Sequence, residues 1–136
     1  SNNKIILAGI IKSGVNSIFA IARYNDDGSL DTTFGTNNDG KVTTTITVDN
    51  VARQIVLDNN NKIVLGGYTN SGGNYNFTIC RYNDNGTLDT TFGNNGIVIT
   101  DISTTDIINS LIIDANNKIL VGGSINGKFA VARYIP

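Results

Sequence analysis

A chain of 136 residues with 40% hydrophobic content is long enough for one domain with a real core. Ten basic against eleven acidic residues, a net charge of −1, and no basic run exclude an electrostatic nucleic-acid binder, because phosphate affinity comes from clustered Lys and Arg. Histidine is absent, which removes the commonest general base and metal ligand, and the single cysteine excludes an intramolecular disulfide and a cysteine-cluster zinc site.

No apolar stretch approaches the roughly 18 residues that span a bilayer. The chain opens on Ser rather than Met and shows no signal peptide, so an excised or processed fragment is expected. The dominant feature is internal repetition. Residues 2–35 align without a gap on residues 60–93, with 22 identities in 34 positions. A third, partial copy starts at Asn116: NNKIILAG, NNKIVLGG and NNKILVGG open the copies, and FAIARY, FTICRY and FAVARY follow. Such a period signals stacked supersecondary units.

In the complete central copy, four strands are expected: A at Ala52–Asp58, B at Lys62–Gly67, C at Phe77–Tyr82 and D at Ile97–Asp101. A polar turn joins A to B, and Gly/Asn-rich loops join B to C at Ile10–Ser17, Thr69–Asn76 and Ser124–Lys128. The strands are apolar on both faces, as in Ile63, Val64 and Leu65, so each sheet calls for cover on both sides. Four-stranded sheets stacked around an axis meet that demand, which makes the fold class all-β, built of β-propeller blades. The chain then reads B-C-D in residues 1–50, A-B-C-D in 51–106 and A-B-C in 107–136, ten strands in one domain. About two and a half blades cannot close a ring and leave apolar end faces. Self-association is therefore expected, with a two-fold ring of about six blades favoured and a piece of a longer propeller as the rival.

Between strands C and D lie RYNDDGSLDTTFG (Arg23–Gly35) and RYNDNGTLDTTFG (Arg81–Gly93), followed by a GKV or GIV strand. These segments resemble the delta-60 repeat family, and the likeness extends over nearly the whole chain. That resemblance implies propeller blades and a surface or secreted protein, and little chemistry.

Read residue by residue, Asp27-Gly28 and Asn85-Gly86 are turn dipeptides, with Leu30 and Leu88 anchoring the turn to the sheet. Asp31 and Asp89 suit caps for the amides two and three residues on, and Phe34 and Phe92 plug between blades. Calcium binding by this loop is disfavoured, since the EF-hand framework and its distal Glu are missing. Neither a metal nor a cofactor is expected. Arg23, Arg81 and Arg133 end strand C on a packed face and need a carboxylate or several carbonyls, with Asp31/Asp89 or Asp58/Asp114 the obvious partners. Tyr24, Tyr82 and Tyr134 take the opposite face, with the hydroxyl expected in water. Cys80, in the slot of Ala22 and Ala132, reads as a small core residue.

Functional side chains are sought where copies differ. Arg53 and Gln54, against Asn109 and Ser110, vary on the innermost strand and are candidates for the channel lining. Tyr75 and Asn76 are the loop groups that resemble a sugar-stacking platform, although a solvated hairpin tip is the plainer reading. Two N-glycosylation sequons, at Asn76 and Asn85, are frequent by chance in an Asn-rich chain. The expected function is a non-enzymatic scaffold that binds a protein or a glycan through loops or channel. The alternative is a propeller-type hydrolase or lyase fragment with paired carboxylates drawn from Asp49, Asp101 and Asp106.

Overall fold

A computed structural model describes residues 3–136. Its ten strands are β1 (Ile5–Ser13), β2 (Asn16–Tyr24), β3 (Lys41–Thr44), β4 (Asp49–Leu57), β5 (Ile63–Ser71), β6 (Asn74–Tyr82), β7 (Ile97–Thr100), β8 (Asp106–Ile113), β9 (Ile119–Ile125) and β10 (Lys128–Tyr134). No helix occurs among the described residues, and so none is long and apolar enough to cross a membrane.

Antiparallel ladders group the strands into three units: β1-β2-β3, β4-β5-β6-β7 and β8-β9-β10. The sheets of units 1 and 2 are joined by one parallel strand pair, Ser17 with Asp49, and the bridge from Tyr75 to Thr105 repeats that link between units 2 and 3. The strand count and the B-C-D, A-B-C-D, A-B-C order agree with the repeat pattern. The sheets remain open.

The B–C hairpins differ from expectation. Their ladders run to Ser71↔Asn74 in unit 2, and the connection shrinks to Gly72 and Gly73, both at positive φ. Asn126 and Gly127 close the third hairpin in the same way, with φ of 48° and 75°. Two successive positive φ values match the right-handed twist of the strands, so the chain pairs where a loop was expected. Asparagine is placed with similar purpose in the A–B turns, where Asn61 and Asn117 stand at φ of 60° and 62°.

Unit 2 buries both faces, whereas units 1 and 3 each bury one. Phe19, Ile21 and Phe34 of unit 1 pack on Ile63, Leu65, Cys80 and Tyr82 of unit 2. Val64, Phe77, Ile79 and Phe92, on the opposite face of unit 2, pack on Ile108, Leu111, Ile119 and Val121 of unit 3. The face turned to the following unit is called forward, and the other rear. Consecutive residues such as Ile63, Val64 and Leu65 are all fully buried because they serve two joints.

The tyrosines correct an expectation. Tyr82 is fully buried and its hydroxyl bonds Thr44 at 2.8 Å; Tyr134 meets Thr100 at 2.9 Å. Each ties strand C of one unit to strand D of the preceding one, so these hydroxyls serve the joint rather than water. Burial raises both above the ordinary phenol value. Burial also pushes the Cys80 thiol up to about 12, which leaves it protonated and inert.

Candidate functional site

Two arrangements concentrate chemistry: a repeated ion-pair network at the joints and a variable aromatic cluster on unit 2.

In the first joint Arg23 Nε donates to Asp31 Oδ2 at 2.7 Å, and the guanidinium lies over the Phe34 ring at 4.6 Å. Its Nη1 donates to the carbonyl of Asp84 in unit 2 and stands 3.0 Å from the Asp84 carboxylate. Lys4 adds a charge 3.1 Å from Asp31. The same constellation recurs with Arg81, Asp89, Lys62 and Phe92, at 3.0, 3.4 and 4.7 Å. Arg81 Nε and Asp89 Oδ2, however, are close without being aligned as a hydrogen bond. Arg133 is exposed and makes no ion pair among the described residues.

Of the proposed partners, Asp31 and Asp89 are therefore used. Asp58 and Asp114 instead hold the A–B turns, where Asp58 Oδ1 accepts the amides of Asn60 and Lys62 at 2.8 and 2.9 Å. Asp114 does the same for Asn116 and Lys118. Asp31 caps Thr33 through both its amide and hydroxyl, whereas the amide of Phe34 goes to the Asp31 backbone carbonyl rather than its side chain. The bond from the Thr33 hydroxyl, outweighing burial, holds Asp31 well below the usual carboxylate range. For Asp89, burial works upward, but bonds from Thr91 and the charges of Arg81 and Lys62 outweigh it and lower the pKa.

Gly86 shows why the turn dipeptide suits the joint. It stands at φ +89°, and a Cβ there would meet the Phe34 ring at 2.9 Å. The turn of unit 2 thus closes on the aromatic plug of unit 1. Phe34 and Phe92 are both buried in this role.

The second arrangement joins two of the variable residues. β4 carries a bulge between Ala52 and Gln54, so Arg53 is the extra residue, and Asn109 occupies the matching bulge of β8. Arg53 turns onto the Tyr68 ring at 5.4 Å, and Tyr68 meets Tyr75 edge-on with centroids 5.6 Å apart. Arg53 and Tyr75 are thus brought together through Tyr68. Tyr75 and Asn76 lie in β6, not on a loop tip, because the hairpin closes at Gly72–Gly73. Gln54 is drawn into structure: its Oε1 accepts the amide of Leu111 in unit 3 at 3.1 Å. Asn109 and Ser110 are exposed.

Tyr68 was missed by sequence reasoning. The available signal was its variation between copies, where Ile10 and Ser124 occupy the same place.

Of the carboxylates in the enzyme alternative, Asp106 and Asp101 are engaged in hydrogen bonds. Asp106 is fully buried and its Oδ2 accepts the amides of Ile102 and Ser103 at 2.7 and 3.0 Å. Asp101 accepts a bond from Asn74 at 3.1 Å, and Asp49 sits half-buried in β4. Among the described residues no group of three or more His, Cys, Asp or Glu could hold a metal.

A family model described as a β-propeller domain of unknown function, DUF5122, matches residues 1–34 and again 59–92, together half of the chain. These stretches coincide, to within one residue at each end, with the two gapless copies of the repeat. No curated protein matches the chain.

Proposed function

Because the chain belongs to the DUF5122 β-propeller family, we propose that it is a non-enzymatic structural and interaction module whose blades complete a ring by self-association. Two copies of the three units make a ring of six blades, four of them three-stranded, and the delta-60 repeat is the finer placement within the propeller families. One observation carries this reading. Phe129 and Val131 on the last blade are 85% and 61% exposed, whereas their counterparts Phe19, Ile21, Phe77 and Ile79 are at most 2% exposed. Apolar groups at joint positions demand a covering surface.

The non-enzymatic reading is supported by the roles of the groups with perturbed acidity. Asp31 and Asp89 pair with arginine, Tyr82 and Tyr134 bond threonine, and the Cys80 thiol is buried. The Arg53–Tyr68–Tyr75 cluster is the ligand-facing candidate, with flat aromatic faces beside a guanidinium suited to a glycan or a protein loop.

Light scattering on the eluting protein tests the assembly, with a mass of about twice 14.5 kDa expected at micromolar concentration. A clean monomer there contradicts it. Glycan-array binding that is lost in Tyr68→Ala supports the glycan arm; silence on the array with capture of a specific protein supports the other.

A further inference from the structure

The joint between units is built from fixed positions, and the chain makes it twice. Its forward half in unit 1 is Phe19, Ile21 and Arg23; its rear half in unit 2 is Ile63, Leu65 and Tyr82. Unit 3 presents an unused forward half, Phe129, Val131 and Arg133, all exposed. Unit 1 presents an unused rear half, where Ile5 and Leu7 are 48% and 55% exposed, beside a groove of about 820 Å³ along Leu7, Ala22 and Tyr24. The two free surfaces therefore carry the complementary halves of one interface.

Charge follows the same register. In the first joint Arg23 reaches across to Asp84 in the RYND segment of the next unit. Asp26 holds that place in unit 1, is exposed, and makes no ion pair among the described residues. Arg133 holds the place of Arg23 and has no acidic partner in its own unit. Turn contacts agree as well. Asn117 accepts the amide of Asn59 across the second joint at 2.8 Å, and Asn3 occupies the position of Asn117 at the free rear edge.

We propose that a second copy of this chain repeats the internal joint, with Arg133 of one copy latched on Asp26 of the other. This rests on the self-association reading above and specifies its geometry. The contact is heterologous, forward face on rear face, and the reciprocal contact closes a two-fold ring. Each ring then contains two Asp26–Arg133 latches.

Charge reversal with complementation tests it. Asp26→Arg alone places arginine against arginine at both joints, and Arg133→Asp alone places aspartate against aspartate. Each single variant is expected to weaken dimerisation about tenfold or more, since an ion pair across an interface becomes a like-charge contact. Mixing the two variants puts opposite charges at both joints and should restore a 1:1 dimer, as should the double variant made in one chain. Sedimentation of all five samples, including the unmodified chain, reads the outcome. A monomeric unmodified chain overturns self-association itself. A dimeric unmodified chain whose single variants remain equally dimeric, or whose mixture stays monomeric, overturns the latch alone.

Discussion

The forward faces of blades 1 and 3 carry the same kinds of residue in the same register and have opposite surroundings. Phe19 is fully buried against blade 2, while Phe129 is 85% exposed. Arg23 has a carboxylate of its own blade and another across the joint, while Arg133 has neither. The difference shows that the repeat encodes an interface more than it encodes a blade. Each copy supplies both halves of a joint, and stability arises only where two copies meet. The middle joint grades the effect: Arg81 keeps its own Asp89, but Pro136 stands where Asp84 would and offers no carboxylate.

Truncating both phenylalanines should separate the two faces most strongly. Phe19→Ala should cost about 3–5 kcal/mol of unfolding free energy, as for a fully buried aromatic. Phe129→Ala, measured at a dilution that separates copies, should stay within about 0.5 kcal/mol, as for a surface change. Equal costs in denaturant titration would erase the distinction between the faces.

The ion pairs sharpen it next. Asp89→Ala leaves Arg81 buried without a carboxylate and should cost about 3 kcal/mol. Asp31→Ala should cost less, because Arg23 retains Asp84. The reverse order in thermal or denaturant unfolding would show that the cross-joint aspartate contributes nothing.

Acid should weaken both joints in one direction. Asp31 and Asp89 titrate below their unfolded values, so their stabilisation is complete above about pH 5 and is lost as pH falls below about 4. In Asp89→Ala the drop in melting temperature across that window should be smaller than in the unmodified chain.

A smaller effect, of the opposite sign, is expected at the blade entry. Asn50 donates to the Ser17 carbonyl at 2.6 Å across the first joint, whereas Asp106 in the same place leaves Oδ1 without a partner. Asp106→Asn should be neutral or stabilise by about 1 kcal/mol, read as a raised melting temperature, because an amide can donate where a carboxylate oxygen cannot.

Much of the architecture was legible in the sequence because it repeats. A gapless 58-residue offset fixed the strand order, and three consecutive apolar residues such as Ile63–Leu65 required cover on both faces. The Arg–Asp pairing was legible because both members recur together. Hairpin length was not, since Gly and Asn mark a positive-φ turn without saying how far pairing extends around it. The destination of the tyrosine hydroxyls was also hidden. Strand alternation tells which face Tyr82 takes, but not that Thr44 of another blade waits there. Tyr68 escaped for a related reason: its partners Arg53 and Tyr75 come from different strands, and only the folded register unites them.

The end faces have the composition and register of joints that a second copy would complete. Solution mass of the unmodified chain and of Phe129→Asp, measured side by side at the same micromolar concentration, tests this most directly. A dimer is expected for the first and a folded monomer for the second. A Phe129→Asp chain that remains as dimeric as its parent would contradict it.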